Sequence, residues 1–274
     1  VEESQTKSLR IAIVGCGNVA THLALGLDRA GVCPVGIYGR DPLTVARLAE
    51  SLSAQSSLMC GALSDVASSA ADVVIVSVAD HAIADVAAAV GPLPAGTVVL
   101  HTSGTVGMEL LSCVSADHGI LYPLQTFSRD VPADLSEVPF FTEASTEAAL
   151  AVADGLASML SEHVTHADAS RRRALHIAGV LSCNFPNYLL ECAAKVLSDA
   201  GFGLDVVAPL VRATIAKAFG VGPHDAQTGP ARRGDIDVIR SQAASLPDDM
   251  AEIYRALSRS IMYSHQLPCK DETL

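Results

Sequence analysis

The stretch Arg10-Ile-Ala-Ile-Val-Gly-Cys-Gly-Asn-Val-Ala20 constrains this chain more than any other. An apolar run of strand length ends in G-x-G-x-x-A, which reads as a buried parallel strand turning sharply into a helix. Gly15 allows the tight turn, Gly17 lets backbone approach a pyrophosphate, and Ala20 is small enough for the helix to lie against the sheet. A helix is expected over 18–30, opened by Asn18 and Val19, with Gly31 just past its end. Its first turn offers free N–H groups and about half a positive charge, which suits a phosphate. A glycine turn alone is a weak signal. Here it sits between a strand and a helix, and a second strand follows at 34–38. The expectation is a dinucleotide seat; the alternative is a glycine-rich turn that binds nothing.

The first half of the chain alternates strand and helix. Strands are expected at 10–14, 34–38, 73–78, 97–101, 119–122 and 139–142. Helical stretches lie between them at 18–30, 42–53, 83–90 and 107–113, with a helix at 146–160 and a short strand near 163–167 closing this half. Such alternation with Val- and Ile-rich strands implies an α/β fold with a doubly wound, mostly parallel sheet. After residue 168 the pattern changes to Ala- and Leu-rich helical windows at 169–199, 204–219, 236–245 and 248–264. Two domains are expected, 1–168 and an all-helical 169–274, with no Pro-, Gly- or Ser-rich linker between them.

Composition narrows the function classes. The net charge of −12 argues against nucleic acid, because phosphate contacts need a basic face. No window is an uninterrupted apolar span of membrane length, and residues 1–9 lack the apolar core of a signal peptide. The seven cysteines, Cys269 among them, are scattered without a C-x-x-C pair. They read as reduced thiols of a cytoplasmic protein, and no metal site is expected.

Strand ends carry the candidate chemistry, since ligands of such sheets lie beyond the carboxyl edge. The second strand ends Tyr38-Gly39-Arg40-Asp41. No acid occupies its last positions, and a guanidinium can pair with a ribose 2′-phosphate. Arg40 therefore favours NADP(H) over NAD(H). Against this, Arg40 pairs with Asp41 in solvent, or Asp41 takes the ribose role itself. Ser77 and Val78 end another strand and let backbone approach a cofactor; Asp80, just after, is expected to cap the next helix. His101-Thr-Ser103-Gly104 makes a floor for nicotinamide or substrate, or else an ST-turn with a satisfied histidine. Tyr122-Pro-Leu-Gln125-Thr-Phe127 suits a substrate-facing loop or a packed crossover.

In the helical half, Arg173, His176, Val180, Asn184 and Asn187 fall on one stripe of a straight helix, at about 100° per residue. Pro186 must disturb that helix. The stripe is expected to face the cofactor cleft; otherwise it is a satisfied histidine with asparagines bridging helices. The turn-rich segment 225–235 holds Gln227 and Thr228, candidates for substrate contact, for completing a neighbour's site, or for a plain solvated turn.

Taken together, Gly15-x-Gly17-Asn18-Val19-Ala20, Tyr38-x-Arg40, Asp80-His81, His101-Thr-Ser-Gly104, Tyr122-Pro-Leu-Gln-Thr-Phe127, Pro139-Phe-Phe141, His176 with Asn184-Phe-x-Asn187, and Gln227-Thr-Gly-Pro230 resemble Rossmann-like proteins with an uncharacterised helical C-terminal domain. These are described as NADP-dependent oxidoreductases. By fold they are similar to pyrroline-5-carboxylate reductases and to 3-hydroxyacid and 6-phosphogluconate dehydrogenases. The resemblance implies a cofactor domain, a helical domain adding substrate contacts, and a homodimer through the helical domains. The 3-hydroxyacid group uses a lysine and an asparagine on its first long helix, but no lysine occurs here between Lys7 and Lys195. His176 is the natural stand-in, since histidine is the usual acid/base side chain near neutral pH. The leading expectation is hydride transfer between NADP(H) and a small carbonyl, imine or alcohol. His176 would serve as acid/base, Asn184 and Asn187 as orienting amides, and Ser103 as a nearby hydrogen-bonding group. The competing expectation is a non-catalytic dinucleotide sensor or assembly protein; a flavin- or deazaflavin-linked reductase ranks third.

Overall fold

The computed structural model describes residues 9–54 and 57–268, so Lys7 and Cys269 lie outside the described residues. Strand β1 (Ile11–Val14) sends alternate side chains to opposite faces. Ile11 and Ile13 join one core, Ala12 and Val14 another. Both faces are covered, which is why the strand reads as a continuous apolar run. The remaining strands are β2 (Gly36–Tyr38), β3 (Met59–Gly61), β4 (Val73–Val76), β5 (Val98–His101), β6 (His118–Pro123), β7 (Phe140–Ala144) and β8 (Val164–His166). They form one sheet in the order β3-β2-β1-β4-β5-β6-β7-β8, parallel throughout except where β7 runs antiparallel to β6. Helices α1 (Asn18–Arg29), α2 (Pro42–Glu50) and α4 (Glu147–Leu160) cover one face; α3 (Ile83–Val90) lies on the other.

Two local expectations fail for physical reasons. Strand β3 was not expected: it has three residues, lies at the sheet edge, and Met59 is exposed, so no apolar alternation marks it. The helix expected at 107–113 is only a 3-10 turn, Met108–Leu111.

The chain divides into two compact units, one ending at Cys183 and one beginning at Asn184. Helix α5 (Ala169–Gly179) belongs to the first. Asp168 caps it by accepting the Arg171 N–H at 2.8 Å. Arg172, fully buried, pairs with Glu143 of β7 and donates to the Ala167 carbonyl at 2.8 Å. A buried guanidinium must be paired, and this pair ties α5 to the sheet. The division therefore falls after Cys183, whereas the sequence pattern alone set it at 168.

The helical window expected over 169–199 is interrupted near Pro186, where a disturbance was expected. A π turn, Val180–Asn184, separates α5 from α6 (Phe185–Asp199). Pro186 has no N–H to offer the Ser182 carbonyl, and the backbone widens just before it. The stripe through His176, Asn184 and Asn187 assumed an unbroken 100° register, which does not carry across this turn.

The second unit contains α6, α7 (Ala208–Val221), α8 (Pro223–Ala226), α9 (Pro230–Arg233), α10 (Ile236–Ala244) and α11 (Asp248–Ser264). Ala231, Ile239 and Met262 centre its small core. Neither α6 nor α7 buries a single residue, and Phe219 is 90% exposed. An apolar groove of about 640 Å³ runs past Leu189, Val196, Ile253 and Leu257. Among the described residues no helix is long and apolar enough to cross a membrane, and no three His, Cys, Asp or Glu side chains cluster to hold a metal.

Candidate functional site

The strand order reverses between β1 and β4, which opens a crevice at the carboxyl edge of the sheet. A groove of about 450 Å³ lies there, lined from the ends of β1, β2, β4 and β5. Gly15 adopts φ +111° and donates its N–H to the Tyr38 carbonyl at 2.8 Å. A Cβ on it would sit 2.1 Å from the Ser77 carbonyl oxygen, so only glycine fits. Gly17 is different. A Cβ there would meet nothing within 4 Å, so the residue leaves open space above the turn. Gly17 also begins α1 without a capping side chain, and the first turn contains no acid. The N–H groups there have no side-chain acceptor and remain available to an anion. Asn18 and Val19 line the groove, whereas Ala20 is fully buried and packs the helix on the sheet.

At the end of β2 the two charged residues separate in role. Asp41 caps α2 by accepting the Leu43 N–H at 3.1 Å. Arg40 lines the groove, exposed, with no ion pair among the described residues. Ser77 and Val78 line the opposite wall with Ala79 and Asp80. The Ser77 hydroxyl accepts from Thr102 at 3.1 Å. Asp80 does not cap the following helix; its carboxylate accepts the Thr105 hydroxyl instead.

Beyond β5 the chain folds on itself. His101 is fully buried, and both its ring nitrogens are used: Nδ1 accepts the Ser103 N–H at 3.2 Å, and Nε2 donates to the Gly107 carbonyl at 3.2 Å. Burial pushes its pKa down to about 4, and Arg172 pushes the same way, while the Gly107 carbonyl partly opposes them. Ser103 accepts the N–H groups of Thr105 and Val106, both at 3.1 Å. This is the ST-turn with a satisfied histidine, and neither side chain lines the groove. Gly104 lets the turn press on Tyr122, since a Cβ would lie 2.5 Å from the ring Cζ. The Tyr122 hydroxyl comes within 3.4 Å of His176 Nδ1, and burial followed by the charge of Asp80 raises its pKa. Tyr122 and His176 are thus brought together within the first unit.

Other expected residues are not part of this pairing. Gln125 is exposed, and its Oε1 accepts the neighbouring Thr126 N–H at 2.8 Å. Asn184, Asn187, Gln227 and Thr228 belong to the second unit. Asn184 and Asn187 are exposed; Gln227 donates to the Thr228 carbonyl at 3.0 Å, and Thr228 lines the apolar groove of that unit. Sequence reasoning missed Cys16, Thr44, Leu63 and Val86 as groove residues. Cys16 and Thr44 flank motifs that were recognised, so proximity to a strand end was the available signal for those two.

Residues 10–104 match the family described as NADP oxidoreductase, coenzyme F420-dependent, and residues 138–261 match a domain of unknown function. A solved Bacteroides fragilis structure, described as an NADP oxidoreductase, is 35% identical with a TM-score of 0.85; the match covers 93% of this chain and 98% of that one. An Aspergillus terreus reductive aminase in complex with NADPH and ethyl-5-oxohexanoate is 15% identical with a TM-score of 0.68, over 97% and 98% of the two chains. An imine reductase from Myxococcus stipitatus in complex with NADP+ is 11% identical with a TM-score of 0.60, over 93% and 92%. These last two share the fold. A search of curated proteins finds no match.

Proposed function

The chain belongs to the family that joins an NADP-oxidoreductase Rossmann domain to this C-terminal domain, and from that premise we propose an oxidoreductase that uses NADP(H) on a small carbonyl, imine or alcohol. One observation carries the reading. The glycine turn feeds an open groove of about 450 Å³ at the switch point, with an arginine at its second-strand end that forms no ion pair among the described residues. The fold neighbours that hold NADPH or NADP+ support it.

Gly15, Gly17, Asn18 and Val19 would hold the diphosphate, Arg40 the 2′-phosphate, and Ser77 and Val78 the stretch between adenosine and nicotinamide. When bound, the nicotinamide supplies or accepts the hydride. The protein supplies the proton path. Tyr122 keeps its proton at neutral pH because burial disfavours the phenolate. His176, half-buried beside it, can replenish that proton at Nδ1 or take it back in the reverse direction. His101 and Ser103 hold the adjoining loop and act as positioning residues. A second copy of the chain is the proposed cover for α6 and α7, whose exposed Phe185, Leu210 and Phe219 flank no core of their own. The free cysteines fit a reducing, cytoplasmic setting.

The test is His176→Ala beside Tyr122→Phe. Both variants are expected to bind NADPH as the wild type does and to lose about 10²-fold or more of turnover on a carbonyl and imine panel. Turnover that survives both substitutions would remove the proton path from the reading.

A further inference from the structure

The loop after β6 reaches the glycine turn from far along the chain, and it brings a cation with it. Three contacts hold it there. Asn18 Nδ2 donates to the Phe127 carbonyl at 2.8 Å. His22 Nε2 lies 3.0 Å from the Ser128 carbonyl, so that nitrogen carries the proton. The His22 and Phe127 rings stack with centroids 4.9 Å apart. Asn18 and His22 both project from the start of α1, so residues 127–129 are laid over the turn. Arg129 follows, and its Nη2 donates to the Cys16 carbonyl at 2.5 Å. Cys16 is the residue between the two glycines and lines the groove.

This placement leaves an exposed guanidinium beside the start of α1, held there by a backbone carbonyl. The beginning of a helix carries a partial positive charge, and a guanidinium held beside it is repelled. The first turn of α1 has no acid to compensate. Arg129 forms no ion pair among the described residues, although the chain holds 30 acids against 18 bases. A helix start and a guanidinium side by side form a place where an anion meets donors from both.

We infer that Arg129 is a ligand of the diphosphate, adding a loop-borne guanidinium to the glycine turn and α1. The inference rests on the dinucleotide reading above and names a residue for it. A guanidinium spans two oxygens, which suits a bridged diphosphate better than a single phosphate ester. Arg40, at the other end of the groove, serves the 2′-phosphate, so the two arginines divide the anionic groups of one ligand.

The experiment measures NADPH binding by nicotinamide fluorescence, with ADP and adenosine 2′-monophosphate as competitors. It compares wild type, Arg129→Gln and Arg129→Lys at fixed salt, with thermal unfolding midpoints as the check on folding. Arg129→Gln is expected to weaken NADPH and ADP by about tenfold or more, the loss of a charge-assisted contact, and to leave adenosine 2′-monophosphate within about twofold. Arg129→Lys should recover only part of that loss, because the charge returns and the two-oxygen fork does not. Unchanged NADPH and ADP affinity in Arg129→Gln would overturn the assignment. Equal weakening of all three ligands would also overturn it, because a loop that merely braces the turn affects every ligand alike. A wild-type protein that binds neither NADPH nor ADP would remove the dinucleotide reading itself.

Discussion

Acid should destabilise this protein through His101 before its carboxylates begin to protonate. The imidazole is fully buried, and its pKa is held at about 4 against an ordinary 6.5. The unfolded chain takes up a proton near 6.5, and the folded chain resists until about 4. Stability contributed by the neutral ring is therefore complete above 6.5 and is lost as the pH falls toward 4. That interval corresponds to about 3 kcal/mol, of which roughly 2.5 kcal/mol is gone by about pH 4.5. Geometry supplies the same answer: a proton on Nδ1 would face the Ser103 N–H that it now accepts. His101→Asn keeps an acceptor for Ser103 and cannot titrate. Urea unfolding of wild type and His101→Asn at half-unit steps from pH 7 to 4.5 isolates the contribution. The variant should be the less stable at pH 7, with the gap narrowing by about 2 kcal/mol or more on acidification. Parallel curves over that interval would refute the argument, and with it the view that burial sets the charge of this ring.

Three further outcomes follow from the structure. Gly15→Ala should cost about 2–4 kcal/mol of stability, because a positive φ and a 2.1 Å overlap with Ser77 add together. Gly17→Ala should cost about 1 kcal/mol or less, yet lower NADPH affinity about tenfold or more by filling the approach to the turn; thermal melts with and without NADPH separate the two effects. Sedimentation of the purified chain should give a dimer, and charge placed on the exposed face of α7 by Phe219→Glu should yield monomer; a wild-type monomer would contradict the proposed cover.

Much of the fold is legible because buried strands leave local marks. Ile11–Val14 and Val73–Val76 are apolar at every position, and the glycines after β1 answer a clash and an open seat that depend on neighbouring residues. What stayed hidden depends on distant partners. Met59–Gly61 is a strand because β2 pairs with it, not because of its composition. Helix α5 joins the first unit because Arg172 finds Glu143, a partner 29 residues away. Ser103 and His101 looked like a nicotinamide floor, but their side-chain polar atoms are consumed within residues 101–107. Arg129 reaches Cys16 across 113 residues, a contact that no local pattern announces.

The central claim is that the glycine turn and Arg40 together select a phosphorylated dinucleotide. Parallel titrations of the wild-type chain with NADPH and NADH, followed by nicotinamide fluorescence, test it most directly. Saturable binding of both is expected, with NADPH tighter by about tenfold or more and that preference lost in Arg40→Ala. No saturable binding of either nucleotide, or a preference for NADH, would contradict the account.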